Sequence, residues 1–256
     1  RDRRENEKKS FEGTFLDYIL LVKQNPEIAM LAHQRLYKII ADAGIETVKT
    51  DENPRLRMLY GSRTIKKYKF FEEFYGIDSS VAKIANYFNS AAMEGEEARQ
   101  VLYLVGPVGS GKSSIMEALK KGLENSPPVY ALKGCPMREE PLHLVPACLR
   151  KKFEDLLGVR IEGDLCPICR YRLNHEYHGE YEKFPVVQVG FSARGRRGIG
   201  VVPPVDPNNQ DTSVLIGSVD ISQIDKYPED DPRALSLNGA FHAGNRGIVE
   251  FLEIFK

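Results

Sequence analysis

Gly106, Pro107, Val108, Gly109, Ser110, Gly111, Lys112 and Ser113 follow one another and match the phosphate-binding pattern GxxxxGK[ST] in full. The residue types explain the pattern. Glycines let a tight loop turn its backbone N–H groups inward around anionic oxygens, and a helix starting at the loop's end adds its positive pole. Lys112 is placed to bridge the β- and γ-phosphates of a nucleoside triphosphate. Ser113, with Ser114 beside it, offers a hydroxyl to a Mg2+ ion that bridges phosphate oxygens and offsets their charge. ATP with Mg2+ is therefore the expected cofactor pair, on a site running from Gly106 to Ser114.

Two further sets of residues carry chemistry. Asn245 to Phe255 is apolar apart from Arg246, Glu250 and Glu253, and resembles a Walker B strand, whose acidic residues meet Mg2+ and the attacking water. The match is imperfect, because aligning Glu253 with the usual catalytic glutamate puts Leu252 where the magnesium-binding aspartate stands. Strand alternation sets Glu250 and Glu253 on opposite faces unless a bulge intervenes. Glu253 is the preferred catalytic residue and Glu250 the other candidate. Cys166 and Cys169 have the CxxC spacing that brings two thiolates onto one Zn2+, with Cys135 and Cys148, or His175 and His178, open as completing ligands. A redox pair is a further reading. One CxxC match is weak, and small buried thiols in a turn are the expectation from spacing alone.

Elements must position these groups. Val101–Val105 reads as a short buried strand leading into the loop, and Ser114–Leu123 repeats its apolar positions at helical spacing after it. Phe15, Tyr18, Ile19 and Val22 form one helical face; Asn25-Pro26 interrupts, and a second helix follows through Ile28, Leu31, Leu36 and Ile40 to Gly44. Asp51 to Lys69 is polar and basic, a linker or hairpin. A helix runs through Val81, Ile84 and Phe88, capped by Asp78 or Ser79. Gly76-Ile77 before it resembles the adenine-pocket segment of AAA+ ATPases, or is a hydrophobic staple. Val129–Lys133 and Phe184–Phe191 read as extended runs. Residues 203–213 are a loop by composition, and Arg194, Arg196 and Arg197 a solvated basic turn. Residues 1–12, dense in both charges, read as a solvated terminus.

The sequence has 256 residues, with 36 basic and 36 acidic side chains and four cysteines. Balanced charge gives no strong nucleic-acid signal. No apolar run is long enough to span a bilayer and no secretory stretch is present, so a cytoplasmic protein without membrane association is expected.

Phe11-Glu12-Gly13-Thr14-Phe15, Lys133-Gly134-Cys135-Pro136-Met137, Glu140-Pro141-Leu142-His143-Leu144, Gly217-Ser218-Val219-Asp220, Asp231-Pro232-Arg233-Ala234 and Ala243-Gly244-Asn245-Arg246-Gly247 all resemble the PrkA family of bacterial serine protein kinases. The resemblance covers nearly the whole chain. It implies an α/β P-loop NTPase of AAA+ type, a parallel sheet flanked by helices, with residues 1–69 as an N-terminal helical region and linker and 70–256 as the ATP-binding core. It also implies an ATPase coupled to phosphorylation or remodelling of a protein substrate, in a homo-oligomer. In an AAA+ sheet the strand entering the loop lies between strands four and five, which on this reading fall beyond Lys256; a fragment of a longer protein, incomplete at its C-terminus, is the expectation. No HRD or DFG pattern occurs, so a conventional kinase site is absent from these residues. The competing class is a nucleotide-gated binding module with little turnover, motivated by the atypical acidic strand.

Overall fold

Thr14 opens the first helix by a reciprocal cap: its N–H donates to Asp17 Oδ2 at 2.8 Å, and the Asp17 N–H donates to Thr14 Oγ1 at 3.3 Å. The computed structural model describes residues 11–204, 212–228 and 231–253. Its strands are β1 (Glu12–Thr14), β2 (Ile45–Lys49), β3 (Thr64–Tyr68), β4 (Val129–Leu132), β5 (Pro185–Val189), β6 (Ile199–Val202), β7 (Ser218–Val219), β8 (Leu235–Ser236) and β9 (Ile248–Phe251). The helices longer than one turn are α1 (Phe15–Gln24), α2 (Ala32–Asp42), α3 (Pro54–Tyr60), α4 (Asp78–Ala92), α5 (Lys112–Asn125), α6 (Ala147–Leu157) and α7 (Pro167–His175). Contacts divide the chain into two units, Leu31–Ser126 and Arg1–Met30 with Pro127–Lys256. The β2–β3 hairpin lies within the smaller unit, pairing Ile45 with Tyr68 and Lys49 with Thr64.

In the larger unit α1 buries Phe15, Tyr18 and Val22, spaced as one helical face. Each contributes about 1.5–3 kcal/mol by leaving water. They pack in one core with Leu132, Leu142, Val145, Phe184 and Val186. The three-stranded sheet has the order β1-β5-β4 and is antiparallel throughout, Gly13 facing Val186 and Ala131 facing Val187. Among the described residues the one parallel pair is β6–β9, in which Gly200 faces Val249 and Val201 faces Glu250. The expected extended runs at 129 and 184 are thus strands, but antiparallel ones. Strand type follows from hydrophobic runs, whereas direction depends on the connection. Gly247 is required where β9 begins, since a Cβ there would meet the Gly198 carbonyl oxygen at 1.9 Å.

The smaller unit packs α2 on α4 and α5. Proline 26 does not open α2: Pro26–Ala29 is a separate 3-10 turn, and the helix starts at Ala32. The polar stretch from Asp51 is a hairpin that holds a helix, α3, between its strands, and Thr50 is fully buried there, donating to the Arg63 carbonyl at 2.7 Å. Ile77, not Asp78 or Ser79, stands at the cap of α4; the Asp78 carboxylate instead accepts from the Tyr60 hydroxyl at 2.7 Å.

Val101–Val105 is the largest departure. It belongs to no ladder among the described residues, and Val101, Tyr103 and Val105 are exposed while Leu102 and Leu104 are half-buried. A central strand needs a neighbour on each edge. None is offered here, so an apolar run that would pair in a sheet is extended chain covered on one side.

Candidate functional site

The phosphate-type loop hangs between that extended segment and α5. Ser110 N–H donates to the Pro107 carbonyl at 3.3 Å, closing a turn. Gly109 and Gly111 adopt φ +79° and +84°, a region that favours glycine, and α5 starts immediately after Gly111. The Lys112 ammonium folds back over the loop, donating to the carbonyls of Gly106 and Pro107 at 2.7 Å each and to Ser110 Oγ at 3.2 Å. A Cβ at Gly106 would lie 2.8 Å from Ser110 Oγ, so a larger residue would crowd the hollow. Ser113 and Ser114 are exposed in the first turn of α5.

This donor set fits a polyphosphate with its metal: an ammonium, three hydroxyls and a helix N-terminus, with no carboxylate in the loop. Phe74, absent from the expected site, comes within 3.9 Å of where a Gly111 Cβ would sit. It belongs to the same aromatic run as Gly76 and Ile77. Gly76 is exposed at φ +77° and Ile77 half-buried.

Glu250 and Glu253 lie in the other unit. Glu250 is 7% exposed within β9. Glu253 lies past the strand's end, exposed, with φ +50°, so simple alternation does not extend to it. The residues just before β9 have structural partners. Arg246 pairs with Glu140 and donates to the Tyr130 carbonyl, while Tyr18 donates its hydroxyl to the same Glu140. Asn245 Nδ2 donates to the Met137 carbonyl at 2.9 Å. Arg194 and Arg197 are exposed, as a solvated turn requires, and Arg196 reaches the Asn238 carbonyl at 2.9 Å.

The thiols converge where spacing alone predicted only a turn. Cys135, Cys166 and Cys169 are buried together with the Glu139 carboxylate, and one ligand atom from each of the four lies within 4.8 Å of every other. Cys148 is exposed and apart from them, and the His175 ring stacks on Tyr171 instead. Hydrogen bonds from the Cys166 and Cys169 thiols pull the Cys135 thiol down to about 4, and hydrogen bonding to Cys135 pushes both others up. Burial pushes Glu139 up as well. Glu139 was invisible in sequence: it stands four residues after Cys135 across a proline and Arg138 at φ +50°, a spacing with no regular element behind it.

Residues 13–256 match the PrkA AAA domain family. A Bacillus subtilis (strain 168) protein named ATP-dependent protease PrkA is 41% identical over 262 residues, covering 99% of this chain and 39% of its own length. A protein named serine/threonine kinase YeaG from Escherichia coli (strain K12) is 37% identical over 256 residues, covering 97% of this chain and 39% of its own. No solved structure matches the chain. The chain belongs to the PrkA AAA domain family, and with it to the ATP-binding P-loop NTPases of α/β class. It spans about two fifths of the length of the curated relatives it matches. Among the described residues no helix is long and apolar enough to cross a membrane.

Proposed function

We propose that this chain is the ATP-binding core of a PrkA-type serine protein kinase, which couples ATP binding and hydrolysis to phosphorylation of a protein substrate within a homo-oligomer. The observation that carries it is the Lys112 ammonium gathered over a glycine loop at the start of a 14-residue helix. In this reading Lys112 and the backbone N–H groups from Gly106 to Ser114, Pro107 excepted, hold the phosphates, Ser113 holds Mg2+, and Phe74, Gly76 and Ile77 take the adenine side. Bound Mg2+ would bridge phosphate oxygens and offset the charge that bond cleavage spreads over them. Glu253, or else Glu250, orients the attacking water. The name of the Bacillus subtilis relative favours a second output, ATP-dependent proteolysis. Both outputs use the same nucleotide site.

Equilibrium binding of ATP and ADP with Mg2+ tests the site. Lys112→Ala removes hydrogen bonds to a charged ligand worth about 1.5–3 kcal/mol, so affinity is expected to fall about 10- to 100-fold. Unchanged affinity would remove the loop from the proposal. Labelled ATP with a casein-like substrate then separates the outputs: label on protein supports a kinase, and label released with peptide fragments supports a protease.

A further inference from the structure

We propose that Cys135, Glu139, Cys166 and Cys169 form a closed structural zinc site. Cys135 and Cys166 Sγ are 4.0 Å apart, and Cys135 Sγ is 3.7 Å from Glu139 Oε2. In a tetrahedron with Zn–S of about 2.3 Å and Zn–O of about 2.0–2.2 Å, ligand atoms stand about 3.6–3.8 Å apart. Those two pairs stand within a few tenths of an ångström of that geometry, and every other pair of ligand atoms lies within 4.8 Å, so a bound ion would draw the four groups in by at most about 1 Å.

Each ligand is delivered by a separate local device. Cys166 caps α7, and its sulfur accepts the Cys169 N–H at 3.3 Å, an N–H···S bond that turns the CxxC pair toward one point. Cys135 sits in the turn after β4, its N–H donating to the Leu132 carbonyl at 3.1 Å. Glu139 is fixed through its other oxygen: Oε1 accepts the Cys166 N–H at 2.5 Å and faces His143 Nδ1 at 3.5 Å, which leaves Oε2 for the metal. His143 is fixed in turn by its Nε2, 2.6 Å from the Glu162 carbonyl, so that nitrogen donates. With Nε2 donating to that carbonyl, Nδ1 supports the Glu139 carboxylate only when it too carries a proton, and a histidine behind a ligating carboxylate is then the outer-shell support that metal sites use.

The charge is also answered. Three thiolates and a carboxylate exceed the charge of one dication, and Arg138 and Arg172 act electrostatically on Cys135 and Cys169 from outside the cluster. Thiolate-rich tetrahedral coordination selects zinc among the common divalent metals. All four ligands come from the protein and are at most 7% exposed, which leaves no open position for a substrate. The site is therefore structural: it clamps the turn after β4 to α7 across residues 159–165, which carry no helix or strand.

Elemental analysis of the full chain, purified under reducing conditions without a histidine tag, should find one zinc per chain. Cys148→Ser should keep it, and Cys166→Ser should fall below about a tenth of that. Should Cys166→Ser fail to fold, wild-type protein stripped of metal under reductant and reloaded with Co2+ carries the test, through the intense ligand-field bands of tetrahedral cobalt and thiolate-to-cobalt charge transfer. Glu139→Gln should shift the ligand-field bands and keep the charge transfer. His143→Ala, which touches no thiolate, should lower metal affinity about 10- to 100-fold. Folded protein without zinc, iron in its place, no tetrahedral cobalt spectrum, or an intact mass lighter by two hydrogens with a Cys135–Cys166 crosslink would each overturn the proposal. An unchanged cobalt spectrum in Glu139→Gln would remove Glu139 from it.

Discussion

The phosphate loop and the thiol cluster are built in opposite ways. The loop is eight contiguous residues, with Val108 fully exposed and Gly106, Pro107 and Gly109 in solvent, and its shape comes from left-handed glycines and one turn. The cluster draws four residues from a 35-position stretch, Cys135 to Cys169, and holds all of them out of water. Local backbone geometry suffices for the first. The second exists only when the core has brought the β4 turn, the Glu139 segment and α7 to one place. Chemistry on a contiguous exposed loop should therefore survive damage to the core that leaves its own unit folded, whereas an assembled site should fail with its packing.

The glutamates of the β9 region test where contiguity stops being a guide. Glu253→Gln is expected to keep ATP affinity and to lower turnover about 100- to 10,000-fold, the range for losing a group that positions or accepts a proton. Steady-state phosphate release measures it. Wild-type turnover in Glu253→Gln with loss in Glu250→Gln would move the role to the buried residue inside β9.

A smaller effect is expected at the assembled side of the comparison. Arg246 and Glu140 form a pair whose side chains are 9% and 13% exposed, with Tyr18 donating to the same carboxylate. Removing one member of such a pair strands the other, at about 3–5 kcal/mol. Arg246→Ala should accordingly lower the urea midpoint by that equivalent while leaving the Lys112 loop able to bind ATP. A midpoint within about 0.5 kcal/mol of wild type, the range of ordinary surface substitutions, would show that the pair is not a structural tie.

How much could be read from the chain follows the same division. The Gly106–Ser113 run, the α1 face through Phe15, Tyr18 and Val22, and the extended runs at 129 and 185 were legible, because periodicity and contiguous motif are properties of neighbouring residues. Pairing is not such a property. Val101–Val105 has the apolar content of a buried strand and lies in solvent on one side because among the described residues no strand flanks it, and β4 is antiparallel although a parallel partner was expected. Cys135 joins Cys166 and Cys169 while the equally eligible Cys148 does not, a choice made by the turn at Gly134 and by α6 carrying Cys148 outward. Glu139 and Phe74 entered no expected site for the same reason: each is placed by tertiary contacts and by no repeat.

The smallest expected effect lies at Asp231 in the Asp-Pro-Arg-Ala segment, local like the loop but tied to α7. The side-chain hydrogen bond from Arg233, helped by the Arg233 backbone N–H at 2.9 Å, holds the Asp231 carboxyl down at about 2 against an ordinary 3.8. Arg233 is held over the rings of Tyr227 at 3.9 Å and Tyr171 at 4.6 Å. A depressed carboxyl favours the folded state in its charged form, so this contribution is complete above pH 3.8 and is lost as pH falls through about 2. Because Arg233 is exposed while Asp231 is half-buried, salt should screen the pair in part. Carboxyl-carbon NMR titration should place the Asp231 midpoint at about 2, and Arg233→Ala should return it toward 3.8. A midpoint that does not move in Arg233→Ala would mean that Asp231 is held down by its own turn, and that even this local pair is fixed by backbone geometry alone.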